Sequence, residues 1–454
     1  MSVIPVNTKR KSLLQAIRRS PIVGLVSLPY LTLRVSTAGS ALIAGLIQTF
    51  VFARVLDQHK FASFLLVGAL GITMWLFDLG ISKIVFVQLR QKYLAGESTA
   101  AVAAQANAVA ILYSALVASG GLVCFAIMAR HPAFSPWEAA QFGLFFFFSA
   151  FNLVWFVLRN VSVAIDDYVF FESIEAIRRI GYIALMLAML VGLPFPLFVI
   201  LINLTWALVF SLVAVRLVRR GAFAPEIFGV VGRLRLFLRE HWRSAMRSGT
   251  HAASEVYIHN ALYIAVPVFF GLGAPTIIID TAMKIFFGTL NLCSTACDLL
   301  VPRQTAAYSQ RDSQTLVRAT LAAFALCLLP VLAVSALLLF AAKDLFAFLL
   351  GSSATMPAEM TPIIVVLLAT AAAKSAPNFL LQHTGYFREL ARLALVNVAM
   401  MTGAIGIGVY AGAGIVQLLS IYAGVFVAVA VLYIVVAIRG PLRDVHRAAR
   451  RSGR

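Results

Sequence analysis

The chain has 454 residues, 61% of them apolar and 12% charged, with a formal net charge of +19 and a mean hydropathy of +0.93. Such a composition excludes a large soluble core and marks a polytopic membrane protein. The basic residues fall between apolar runs rather than on a polar domain, which argues against a nucleic-acid partner.

The chain opens with a basic stretch, KRKSLLQAIRRS, followed by an apolar one broken by Pro21 and Pro29. No clear small-residue cleavage site follows, so Lys9 to Arg34 reads as an interfacial helix on an anionic leaflet rather than as a signal peptide. Twelve apolar runs follow, each long enough to cross a hydrocarbon core of about 30 Å. They lie at roughly 35–55, 61–87, 102–128, 138–158, 174–193, 195–215, 248–270, 275–299, 319–341, 361–383, 392–411 and 414–438. Connections alternate sharply in charge: 30 of the 37 Lys and Arg fall on one side, 4 on the other, and Lys83, Lys284 and Lys374 lie within spans. By the positive-inside rule both termini are cytoplasmic.

The longest connection carries eight Arg and divides the spans six and six. Its GRLRLFLREHWRSAMR segment places Leu234, Phe237 and Leu238 on one side of a helix and Arg on the other, as on an inner-leaflet surface. The expected organisation is therefore a basic interfacial segment (1–34), a six-helix bundle (35–215), a basic amphipathic linker (216–247), a second six-helix bundle (248–438) and a basic tail (439–454). Six crossings return the chain to its starting side, which makes the halves parallel repeats. The fold class is all-α: a polytopic membrane protein of about 12 transmembrane helices in two bundles around a central cavity.

Charges inside the spans are the candidate functional residues, since each costs several kcal/mol unless it faces protein or water. Arg34, Arg54, Asp78 and Lys83 lie in or at the edges of the first two spans. Asp78 and Lys83 are five apart and cannot pair closely on one helix, and Lys83 is placed to snorkel. In the fifth span Glu175 and Arg179 are i, i+4; a charged cytoplasmic gate and an ordinary solvated helix start both fit. His251, Glu255 and His259 form one polar stripe about 12 Å long, too long for both histidines to ligate one metal ion. It fits either a water-filled cavity or side chains satisfied against neighbouring helices. Asp280 and Lys284 can neutralise one another at i, i+4, while Lys374 is near mid-depth, where snorkelling is hardest. Cys293 and Cys297 are one turn apart and read, with Cys124 and Cys327, as small buried apolar side chains. No Walker A, HExxH or placeable Ser/His/Asp set occurs, so neither ATP hydrolysis nor covalent catalysis is indicated, and no cofactor or metal.

Over about 60 residues the FVFARVLDQHKFASF turn and WLFDLGISKIVFVQLRQ resemble the N-terminal signature of Wzx-type lipid-linked oligosaccharide flippases, bacterial polysaccharide biosynthesis membrane proteins of the multidrug/oligosaccharidyl-lipid/polysaccharide exporter superfamily. One departure is Asp57, Gln58, His59 and Lys60, where many relatives carry a Gly-containing motif. The resemblance implies two bundles that open alternately to each side of a bacterial inner membrane. The implied substrate is a polyprenyl pyrophosphate carrying a sugar repeat unit, for O-antigen, capsule or exopolysaccharide synthesis. On that reading Arg34, Arg54, Lys284 and Lys374 line a cationic route, with Arg247 the repeat partner of Arg34. Asp78, Glu255, His259 and Asp280 are the candidate sites for a coupling proton or Na⁺. Expected partners are the lipid-linked oligosaccharide, anionic membrane lipids, a polysaccharide polymerase and a chain-length regulator. The alternatives are an ion-coupled multidrug antiporter and a non-transporting subunit of a glycan assembly complex.

Overall fold

The computed structural model describes residues 28–132, 134–224 and 229–451. The expected interfacial segment therefore lies mostly outside the described residues, and so do the side chains of Arg34, Lys83 and Arg247.

Every expected span is a helix or a broken pair of helices. They are α1 (Leu28–Val55), α2a and α2b (Gln58–Thr73 and Ile81–Leu94), α3 (Ala100–Ala129), α4a and α4b (Pro136–Ala150 and Asn152–Ala164), α5 (Tyr168–Leu190) and α6 (Phe195–Arg219). The second half comprises α7 (Val230–Phe270), α8 (Ala274–Asp298), α9 (Ser313–Leu350), α10 (Met360–His383), α11 (Phe387–Tyr410) and α12 (Ile415–Ala437). Among the described residues, ten helices are long and apolar enough to cross a membrane. The other two, α5 and α7, fall short because they carry buried polar groups: Glu172, Glu175 and Arg178 on one, Ser254 and Asn260 with Glu255 on the other. Both are held by protein instead, α5 against α1 and α7 against α11. Outside, residues such as Leu122, Leu204, Leu329 and Leu332 are more than half exposed. A belt of this kind would associate in water but is solvated in hydrocarbon.

Two six-helix bundles result, and their internal packing is the same. In the first, α1 packs on α5, α2a on α4a, α3 on α4a, α4a on α6 and α5 on α6. In the second, α7 packs on α11, α8 on α10, α9 on α10, α10 on α12 and α11 on α12. The correspondence of each helix with the one six later supports a parallel repeat more directly than residue patterns do. Between bundles, α1 meets α8 and α2a meets α7, again a related pair.

Local chemistry sets the turns. Asp57 caps α2a by accepting from Lys60 N (2.9 Å), and Lys60 pairs with Glu138 at 2.6 Å. Glu138 itself closes a capping box with Ser135 at the start of α4a, with Pro136 in the first turn. The charged DQHK turn is thus a helix cap tied to the fourth span.

The second span is not continuous. After Thr73 a short 3₁₀ turn, Met74–Asp78, is followed by two left-handed residues, Leu79 (φ 44°) and Gly80 (φ 72°). Gly80 takes that conformation freely, whereas Leu79 stores about 1–3 kcal/mol. Asp78 compensates: its carboxylate accepts from Gly80 N (3.1 Å), Ser82 N (3.2 Å) and the Tyr113 hydroxyl (3.0 Å). Opposite this break, α7 comes so close that a Cβ on Gly249 would stand 2.8 Å from Leu79 Cα and 2.9 Å from its carbonyl oxygen.

The expected amphipathic linker is not a separate surface helix. It continues unbroken into the seventh span as the 41-residue α7, about 60 Å long. Phe237 is buried and Leu234 partly so, while His241 Nε2 lies 2.6 Å from Gln88 Nε2 of α2b. The apolar face found its partner in the first bundle, which a hydropathy pattern cannot distinguish from a lipid surface. In α9 the helix bends at Ala341, where the apolar run was expected to end.

Candidate functional site

A cavity of about 540 Å³ opens between the bundles, walled by α1, α2a, α4a, α4b and α5 on one side and by α7 and α8 on the other. Three ionic groups face or flank it.

On α8, Lys284 Nζ lies 2.7 Å from Asp280 Oδ2, as the i, i+4 spacing implied. The ammonium also donates to Thr49 Oγ1 of α1 at 3.1 Å, so it bridges the two bundles. Its aliphatic stem lies against Gly45, whose missing side chain admits it.

On α5, Arg178 makes a bidentate pair with Glu175, Nε to Oε2 and Nη2 to Oε1, both at 2.7 Å. Arg179 Nε adds a third contact to Glu175 Oε1 at 2.6 Å, and Arg178 stacks over Trp206 at 4.1 Å. Both arginines line the cavity, so they belong to the site, not to a solvated helix start. The helix begins at Tyr168, six residues before the apolar run, which carries these charges inward. Glu172 points elsewhere, toward Arg159 (3.6 Å).

On α7, Glu255 and His259 of the polar stripe face the cavity. Glu255 Oε2 receives Lys374 Nζ at 2.6 Å, and Oε1 accepts from the Tyr433 hydroxyl at 3.1 Å. His259 Nδ1 is 4.0 Å from Glu255 Oε2, whereas His251 lies by Gln382, 3.3 Å away. Lys374 does not itself line the cavity. It lies behind Glu255, its side chain 5% exposed, with its ammonium 5.3 Å from the Tyr433 ring.

The remaining expected residues are elsewhere. Arg54 lies at the far end of α1, donating to the carbonyls of Phe50 (2.8 Å) and Phe348 (2.7 Å) and stacking on the Phe50 ring. Asp78 is the backbone cap already described. Asp78→Asn keeps an acceptor at that cap and should leave transport and stability near those of the parent. Asp78→Ala should cost about 1–3 kcal/mol, measured by unfolding in detergent. An Asp78→Asn protein that is stable but has lost ion-dependent transport would return Asp78 to the coupling set.

Charge across the site is nearly, but not wholly, balanced. Lys284 and Lys374 each meet one carboxylate, while two guanidinium groups share Glu175. With His259 neutral, one positive charge remains, and it faces the cavity from the first bundle. Burying paired charges costs little net free energy, but an excess charge needs water or an anion.

Cys327 is buried and free like the other three cysteines, as the sequence implied, but its contact with α8 was not visible in the sequence. Its Sγ lies 3.5 Å from that of Cys297, joining α9 to the Cys293–Cys297 turn of α8, and all these cysteines are free. Among the described residues no group of three or more His, Cys, Asp or Glu is placed to hold a metal ion.

The same architecture recurs among solved structures. A multidrug resistance MATE family transporter of the MOP superfamily, in its inward-facing conformation, matches with a TM-score of 0.62 at 16% identity, covering 95% of this chain and 99% of that one. An outward-facing conformation of such a transporter matches with 0.61 at 14% identity, covering 94% and 99%. A mutant of the Vibrio cholerae MATE transporter VcmN gives 0.63 at 11% identity, covering 91% and 96%. At these identities the likeness establishes the fold. No protein-family model and no curated protein sequence matches the chain.

Proposed function

We propose that this protein moves polyprenyl-pyrophosphate-linked oligosaccharide units across a bacterial inner membrane by alternating access, with both termini cytoplasmic. The observation that carries the reading is the excess cation at Arg178 and Arg179 in a cavity between two repeated bundles. A pyrophosphate and its glycan need a hydrated cationic route, while the polyprenyl tail stays in lipid. Lys284 supplies a second cation that both bundles touch. The fold's occurrence in both inward-facing and outward-facing forms among MATE transporters supports the alternating part. With Arg178 and Arg179 assigned to the cavity, 28 Lys and Arg still stand on one side against 4 on the other, which supports this orientation. Exporting an anionic head group down an inside-negative potential gains about 2.3 kcal/mol per charge per 100 mV, so ion coupling is not required.

A second reading, a multidrug antiporter, is favoured by the fold's recurrence in multidrug transporters and by the carboxylates Glu255 and Asp280 in the cavity. Proteoliposomes distinguish the two. The parent should accelerate translocation of a short-chain polyprenyl pyrophosphate bearing a labelled sugar. Arg179→Gln removes the excess charge yet leaves the Arg178–Glu175 pair whole, and should slow translocation about 10- to 100-fold. Exchange of a cationic dye for Na⁺ or H⁺, with no movement of the pyrophosphate lipid, would establish the second reading instead.

A further inference from the structure

A second concavity, about 580 Å³, lies on the outer face of the first bundle, between the start of α5 and the end of α6. Its wall is apolar and faces outward: Leu208, Leu212 and Val215 are 62%, 48% and 50% exposed. Its rim is basic, formed by Arg216, Arg219 and Arg220 at the C-terminal end of α6. From Leu208 to Arg220 the groove runs about 18 Å along the helix, apolar toward mid-membrane and cationic at the interface.

We propose that this groove binds an anionic phospholipid, its phosphate on the arginine rim and an acyl chain along the wall. The charge fits: Asp167 takes one arginine, Arg216, through contacts of 2.5 and 2.7 Å, so within the rim and that partner two positive charges are in excess. The site is also preorganised. Arg216 stacks on the Phe170 ring at 4.2 Å, and Thr99 Oγ1 donates to the Gly221 carbonyl at 3.0 Å, which fixes the chain just past Arg220. A soluble anion would leave the apolar wall uncovered, and a neutral lipid would leave the rim without a counter-charge. The inference is independent of what the central cavity carries.

The test uses the full chain with a bimane on Ser211→Cys, an exposed position in the groove; the four native cysteines are buried. Vesicles contain equal parts phosphatidylcholine and phosphatidylglycerol, with bromine on the chains of one lipid or the other. Brominated phosphatidylglycerol should quench more strongly, the preference falling about fivefold per arginine removed and collapsing in Arg219→Gln/Arg220→Gln. Arg235→Gln, an exposed change on α7, should keep it. Equal quenching by both lipids, a preference that survives the double variant, or equal loss in the Arg235 variant overturns the proposal. So does displacement by inorganic phosphate, or by polyprenyl phosphate in preference to phosphatidylglycerol.

Discussion

Lys374→Met is expected to lower the unfolding free energy by about 1–3 kcal/mol, because it strands the partly buried Glu255, its side chain 19% exposed, without its ammonium partner. Transport should fall with it, since Glu255 faces the cavity while Lys374 sits behind it. A double-mutant cycle separates pairing from packing. Glu255→Gln with Lys374→Met removes both charges and should recover most of the stability in detergent unfolding. If the double variant is as unstable as the two single changes summed, the pair is not the source. A Lys374 variant with parental stability and full transport would remove this residue from the functional site altogether.

Gly249→Ala should have the opposite sign from an ordinary helix substitution. Alanine normally gains up to about 1 kcal/mol over glycine inside a helix. Here the added Cβ meets Leu79 backbone atoms at 2.8–3.0 Å, and no side-chain rotation relieves that. Overpacking of this kind costs about 1–3 kcal/mol, enough to depopulate the contact between α7 and the second span about 5- to 150-fold. Gln88→Cys and His241→Cys report it, since the parent side chains touch at 2.6 Å. Their cross-linking yield should drop when Gly249→Ala is added. Gly232→Ala on the same helix, with nothing within 4 Å, should leave the yield unchanged.

Much of the fold was legible because hydropathy records a solvent, and each helix declares it independently. All twelve apolar runs became helices, and the two that fall short by composition, α5 and α7, carry Glu175, Arg178, Arg179, Glu255 and His259 of the site. Pairings within one helix were legible for the same reason: Asp280 with Lys284 and Glu175 with Arg179 need only i, i+4 spacing. Contacts between helices were not. Glu255 and Lys374 are 119 positions apart, and only the second bundle, in which α8 and α12 each pack on both α7 and α10, brings them together. Arg54 illustrates the converse. A cation near a helix end looks like a route residue in sequence, yet the exposed carbonyls of Phe50 and Phe348 satisfy it. For Arg178 and Arg179 the residues were visible but their depth was not, because depth depends on where the helix begins.

The break at Met74–Gly80 also has a mechanical consequence. An unbroken helix is a single rod, so tilting one end moves the other. The second span is two rods joined at a seven-residue elbow, locked by one carboxylate and pressed by Gly249 of the opposing bundle. The half that walls the cavity and the half seated against α3 and α4b are therefore aimed separately, and the elbow sets the angle between them.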